Sequence, residues 1–367
     1  MSKEEQCRIL TVLGARPQFV KAAAVSRAFL AAGGFHETIV HTGQHFDYRM
    51  SGLFFDELEI PDAAYHLGID SLSHGAMTGR MLEAVEAVIE EEEPDYVLVY
   101  GDTNSTLAGA LAGKKLHKKI VHVEAGLRSF DERMPEEINR ILTDRISDLL
   151  FCPTEAAARN LDREGFANFP ARVVISGDVM YDAYLFYKEK ARNAAKAADL
   201  PAEFILCTLH RAENTSDAKR LRTILEALDA LDREMKIIFP LHPGTRKAIE
   251  KAGIECRSLE FAGPVGYLEM INLLENCRLV ITDSGGLQKE AFFARKFCLT
   301  LRTTTEWTEL VEGGYNRLAP LEKEAIIDAC RSLLQKKADF NADFYGRGRA
   351  AEIIAAEIRK DFSEKRS

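Results

Sequence analysis

The chain has a single tryptophan in 367 residues and no surplus of positive charge: 48 Lys and Arg stand against 57 Asp and Glu, a formal net charge of -9. Nucleic acids and anionic membranes reward a concentrated basic face, so neither is an expected partner. No apolar run approaches the roughly 18 residues of a membrane span. The opening MSKEEQCRILTVLG passes from charged residues straight into a strand-like run, with no signal-peptide core and no cleavage site. Seven cysteines, an odd number without a Cys-x-x-Cys pair, suit neither a disulfide framework nor a zinc ribbon. They read as reduced core residues, and the expected location is the cytoplasm. Two common nucleotide signatures are also missing, G-x-x-x-x-G-K-[ST] and G-x-G-x-x-G, even at the first strand-to-helix turn LGARPQFVK. ATP and NAD thereby lose their strongest marks.

Short β-branched runs alternate with helical patterns almost from end to end. RILTVLG, ETIVHTG, DYVLVYGD, KIVHVEAG and DLLFCPTE form one series. RVVISGD, FILCTLH, KIIFPLHP, LEFAGP, LVITDSGG and FCLTLR form a second. Repeated β-α alternation specifies parallel sheets covered on both faces. The expected class is therefore α/β, with two doubly wound Rossmann-like domains facing across a cleft. The boundary is expected near 170, giving domains 1–170 and 171–349.

Unusual polar residues gather just after the strands: Arg16, Gln44 and His45, Asp102, Glu124 and Arg128, His210 and Arg211, His242, and Ser284. Strand ends favour polar residues in any case, but open α/β sheets also bind ligands at that edge. In ITDSGGLQKEA a strand runs through Ser284-Gly285-Gly286 into a helix, which aims unpaired N–H groups and a positive dipole end at one point. An anion fits there, and a nucleoside diphosphate is the leading candidate. Glu136, behind Pro135, reads on its own as an ordinary helix opening. Glu124 differs, because Ala125-Gly126 lets backbone approach and Arg128 stands near. His210 reads as a cleft residue and His122, inside a strand, as a core histidine. No His/Cys/Asp grouping has metal-ligand spacing, and Ser284 lacks a nucleophile-elbow context.

Six motifs, GARPQFVK, GDTNSTLAGALA, HVEAGLRS, MPEEINRILTD, LHRAEN and ITDSGGLQKEA, together resemble the non-hydrolysing bacterial UDP-N-acetylglucosamine 2-epimerase family across nearly the whole chain. The resemblance implies a GT-B-like fold whose second domain binds UDP, with the C-terminal helix 350–367 packing back on the first domain. It implies interconversion of UDP-GlcNAc and UDP-ManNAc by elimination of UDP to a 2-acetamidoglucal and its re-addition, with neither NAD nor an obligatory metal. By position, Asp102, Glu124, Glu136 and His210 match the family's catalytic acids and histidine. Arg16, Ser284, Gly285, Gly286 and Glu290 match nucleotide-binding positions, with Glu290 placed to meet the ribose hydroxyls. Lys21 and Arg317 match positions near the phosphates or sugar, and His242 joins this substrate-binding set. The family is usually homodimeric.

Gln18 stands where the common family opening has Glu, and the compact SFDERM and LRTTTEWTELVEGGYNRL segments look more like a branch acting on UDP-2,3-diacetamido-2,3-dideoxy-glucuronate. That substrate would call for a cation such as Arg133 or Arg302. A GT-B glycosyltransferase shares the UDP cleft, but several acids around C2 do not suit it. A non-catalytic nucleotide-sugar-binding protein would not need the intact acid set.

Overall fold

The structure is a computed structural model that describes residues 6–44, 60–194, 200–320, 322–337 and 339–364; the side chain of Arg16 and the whole of His45 lie outside the described residues. The chain divides into two compact units, Met1–Leu185 with Asp343–Ser367, and Phe186–Ala342.

Among the described residues the first unit carries seven parallel strands: β1 (Cys7–Leu13), β2 (Phe35–His41), β3 (Tyr65–His66), β4 (Tyr96–Tyr100), β5 (Lys119–Val123), β6 (Leu149–Cys152) and β7 (Arg172–Ile175). Their order across the sheet is β3-β2-β1-β4-β5-β6-β7. Every residue of β4 and β6 is buried, as helices on both faces require. One face packs on helix His74–Glu92, whose Met77, Met81, Val85, Val88 and Ile89 recur at helical spacing. Helix Asn104–Lys115 lies closer still: a side chain on Gly109 would meet Val12 at 3.1 Å, and one on Gly113 would meet Ile120 at 2.8 Å.

Arg172–Ile175, read from sequence as the first strand of the second series, instead pairs with β6 from Leu149↔Arg172 to Cys152↔Ile175. The boundary expected near 170 therefore moves to Leu185. As an edge strand, β7 alternates half-buried and exposed residues, and its hydrophobic period does not say which sheet it joins.

The final helix, Ala350–Glu364, belongs to the first unit. Its first turn is capped by Asp182, which accepts from the N–H groups of Ala350 (3.2 Å) and Ala351 (2.8 Å). Further along, Asp361 accepts from Tyr96 Oη at 2.6 Å and pairs with Lys119.

The second unit holds β8 (Ile205–Thr208), β9 (Ile237–Pro240), β10 (Phe261–Ala262), β11 (Leu279–Thr282), β12 (Cys298–Thr300) and β13 (Asn316–Leu318), in the order β10-β9-β8-β11-β12-β13. Both sheets reverse strand order once, between β1 and β4 and between β8 and β11. These are the points where loops diverge and leave room for ligand.

Gln18 closes the first of these points. Its Oε1 accepts from Gly14 N–H (2.8 Å) and Ala15 N–H (2.9 Å), while Nε2 donates to the Tyr100 carbonyl at 2.9 Å and to the hydroxyls of Thr103 and Thr106. A carboxylate could replace the acceptor half of this amide, but its second oxygen would face the Tyr100 carbonyl. Gln18→Glu should therefore cost about 1–3 kcal/mol in urea unfolding. An unchanged midpoint would contradict that assignment.

Candidate active site

In the first unit Asp102 follows β4 and Glu124 follows β5. Glu124 has φ of 75°, a left-handed conformation that non-glycine residues adopt only where their surroundings hold it. Its carboxylate pairs with Lys21 from helix Arg16–Ala32; the two side chains are 9% and 7% exposed. Asp102 pairs with Arg140 from helix Pro135–Ile146. A side chain at Gly101 would come within 3.3 Å of both Glu124 Oε1 and Lys21 Nζ. The two acid-bearing turns are therefore immediate neighbours, each with its own cation.

Helix Pro135–Ile146 is built inside out. Glu137, Asn139, Arg140, Thr143 and Asp144 are buried, while Ile138 and Leu142 are exposed. Glu137 accepts from Arg140 (2.7 Å), from the Ser129 N–H and hydroxyl (both 2.9 Å) and from the Phe130 N–H (2.8 Å). Asn139 donates to the Asp102 carbonyl at 2.9 Å. Glu136, half-buried in the first turn, forms no ion pair among the described residues. In the sequence Glu137 reads only as part of a helix opening, and Arg140 and Asp144 carry no signal of their own, although polar residues at 137, 140 and 144 already trace one face of a helix.

In the second unit His210 follows β8 and Asp283 follows β11. Asp283, fully buried, lies 3.2 Å from His210 Nδ1 and accepts from the N–H groups of His210 (3.1 Å) and Arg211 (2.9 Å) and from Asn214 Nδ2 (2.9 Å). Burial pushes this carboxyl up, but His210, Asn214 and the Arg211 N–H outweigh burial and hold it below the usual carboxylate range. His242 stands beside His210, ring centroids 6.2 Å apart, and its Nδ1 accepts from the Gly244 N–H at 3.1 Å.

Ser284 caps helix Gly285–Phe293, its Oγ accepting from the Leu287 N–H at 3.4 Å. The two glycines differ. A side chain on Gly285 would strike Glu306 Oε1 at 2.6 Å, whereas one on Gly286 would meet nothing within 4 Å. The open space beside this turn is thus at Gly286. The only tryptophan, Trp307, donates to the Gly285 carbonyl at 3.0 Å. Glu290 is buried and accepts from Tyr267 Oη at 2.9 Å. Arg317 is exposed on β13, two strands from β11.

The structure thus gathers Lys21, Asp102 and Glu124 in one unit and His210, His242 and Ser284–Gly286 in the other. Among the described residues, no group of three or more His, Cys, Asp or Glu could hold a metal ion, and no helix is long and apolar enough to cross a membrane.

Residues 27–359 match the family model described as UDP-N-acetylglucosamine 2-epimerase. The chain belongs to the UDP-N-acetylglucosamine 2-epimerase family. It is 52% identical, over 96% of its length and 99% of the relative's, to the UDP-2,3-diacetamido-2,3-dideoxy-D-glucuronate 2-epimerase of Pseudomonas aeruginosa. Among solved structures it is similar to the Methanocaldococcus jannaschii UDP-GlcNAc 2-epimerase in complex with UDP-GlcNAc and UDP, with a TM-score of 0.90 and 39% identity over 96% of this chain and 99% of that one. It is also similar to the Neisseria meningitidis UDP-GlcNAc 2-epimerase bound to UDP-GlcNAc, with a TM-score of 0.86 and 30% identity over 96% and 100%. The fold is GT-B-like and the family's members are epimerases.

The depressed carboxyl of Asp283 stabilises the fold fully above its unfolded value near pH 4 and is lost as pH falls through its lower folded value. Asp283→Asn should therefore flatten the acid limb of stability against pH in thermal unfolding. A limb as steep as that of the unmodified protein would contradict the pairing.

Proposed function

We propose that the chain is a non-hydrolysing UDP-sugar 2-epimerase that interconverts UDP-GlcNAc and UDP-ManNAc. The observation that carries this reading is the pair of cation-balanced carboxylates, Asp102 and Glu124, on adjoining turns. Inverting a carbon that bears a hydrogen requires a group to remove that proton and a group to supply one from the other side. In the first half-reaction a base takes the C2 proton, a C1=C2 double bond forms, and the C1–O bond breaks with its electron pair leaving on the UDP oxygen. In the second, UDP adds back to C1 while C2 is protonated on the opposite face. Only a proton and the UDP leaving group move, and neither half-reaction transfers a hydride, so this mechanism makes no use of NAD.

Asp102, Glu124, Glu136 and His210 are the proposed acid/base groups. Ser284, Gly285 and Gly286 are the proposed diphosphate-binding turn, joined by Arg16, Lys21, His242 and Arg317, and Glu290 is assigned to the ribose. Donors aimed at the departing diphosphate stabilise charge that grows in the transition state. On this reading the enzyme is a cytoplasmic homodimer that supplies a sugar nucleotide for polysaccharide synthesis and works without an obligatory metal.

A second reading, epimerisation of UDP-2,3-diacetamido-2,3-dideoxy-glucuronate at C2, is favoured by the 52% identity to the Pseudomonas enzyme. The uronate carboxylate needs a cation. Arg302 is buried 3.0 Å from Glu306, and Arg133 is 88% exposed beside Asp131, so Arg133 is the accessible one of the two.

Incubating each sugar nucleotide with the protein and following the anomeric signals by proton NMR distinguishes the readings: the substrate acquires a second, manno-configured signal. If neither sugar changes, both readings fall. Glu124→Gln should lower kcat by at least about 100-fold while UDP binding persists in calorimetry. Unchanged turnover would remove Glu124 from the mechanism.

A further inference from the structure

Beneath the two acid-bearing turns of the first unit lies a buried cluster that contains none of the proposed acid/base groups. Asp144, fully buried on the inward face of helix Pro135–Ile146, uses both carboxylate oxygens. Oδ1 lies 2.7 Å from His122 Nδ1; Oδ2 accepts from the Gly126 N–H at 3.1 Å and from Arg128 Nη1 at 2.7 Å. His122, also fully buried, donates through Nε2 to the Gly101 carbonyl at 2.7 Å. Arg128 continues outward to Glu164 through Nε (2.7 Å) and Nη2 (2.8 Å). Burial pushes the Asp144 carboxyl up, but His122 and Arg128 more than offset it and hold it below the ordinary range.

The bonds made by this cluster fall where position matters most. The Gly101 carbonyl is one residue before Asp102, and the Gly126 N–H is two residues after Glu124. Gly101, Glu124 and Gly126 all have positive φ, at 64°, 75° and 79°. A turn of this kind keeps its shape only when tertiary bonds over-determine it. Gly126 cannot gain a side chain, because one would run into the Ala157 carbonyl. The Glu124 and Ala125 N–H groups are already committed to the Phe151 carbonyl, at 3.1 and 3.0 Å. One carboxylate, acting through one imidazole, therefore reaches both turns at once.

We propose that Asp144 and His122 are positioning residues for the epimerase reaction, holding the Asp102 and Glu124 turns in register with each other. The proposal rests on the functional reading above. Misplacing a reacting group by about 1 Å costs on the order of 100-fold in rate, so the expected signature lies in kcat rather than in nucleotide affinity.

The test uses Asp144→Asn and His122→Gln in the full chain. Asp144→Asn keeps the shape but cannot accept at every position the carboxylate serves. His122→Gln leaves Asp144 and Arg128 in place and removes the rigid two-ended bridge, so it carries the test if Asp144→Asn fails to fold. Turnover is normalised to the folded fraction, and UDP binding is measured by calorimetry. The expected result is a kcat lowered about 100-fold for Asp144→Asn and at least about 10-fold for His122→Gln, with the UDP dissociation constant unchanged. Wild-type kcat per folded molecule in the variant that folds, whatever the drop in melting temperature, reduces the cluster to a structural role and overturns the proposal. If the unmodified protein epimerises neither sugar nucleotide, the functional reading falls first and this proposal falls with it.

Discussion

A carboxylate taken out of water must bring a positive partner or a set of N–H donors with it, and most of the first unit's polar architecture follows from that requirement. Glu124 takes Lys21, Asp102 takes Arg140, and Asp144 takes Arg128. Each cation arrives from a different element, so packing and charge balance constrain one another. Helix Arg16–Ala32 must present Lys21 to the sheet edge. Helix Pro135–Ile146 must turn its polar side inward for Arg140 and Asp144, which leaves Ile138 and Leu142, each 47% exposed, on the outside. A helix that faces its core with charges has given up hydrophobic burial to do so, and local rules of this kind are broken where a site or a strained turn needs the polar groups.

The second unit solves the same problem with fewer charges. Asp283 is satisfied by two backbone N–H groups and an asparagine, and its nearest ring is that of His210. The carboxylate thereby fixes the orientation of a histidine whose side chain is 42% exposed, giving a partly exposed ring a buried anchor. Next to it the helix Gly285–Phe293 begins with Gly286 open to solvent-sized groups and Gly285 pressed against Glu306. In both units some of the candidate residues follow a strand at which the sheet reverses its order: Asp102 after β4, His210 after β8 and Ser284 after β11.

Much of this was legible in the sequence because parallel α/β architecture is written in local pattern. The strand runs, the glycine turn at 284–286 and the acids after β4 and β5 could each be read from a few neighbouring residues. The domain boundary was not: β7 has an edge strand's mixed burial, and only its pairing with β6 assigns it to the first sheet. The cations were also hidden. Arg140 and Asp144 sit within a motif that was recognised, yet their work depends on contacts 38 and 22 residues away in sequence, with Asp102 and His122. Asp283 is hidden in the sequence because the adjacent Ser284-Gly285-Gly286 run carries the stronger local signal, that of a helix start. Gln18 was visible as a departure from the family opening, but its meaning required seeing the Tyr100 carbonyl opposite its amide.

The central claim is that paired acids on adjoining turns move a proton at C2 while UDP leaves and returns. The most direct measurement is a reaction in D₂O with UDP-GlcNAc and, separately, the diacetamido-uronate nucleotide, without NAD or added metal, read by proton NMR and mass spectrometry. The account predicts one deuterium at C2 of the epimer formed from the true substrate. An epimer that keeps its original C2 proton, or release of a free sugar in place of an epimeric nucleotide, would contradict it.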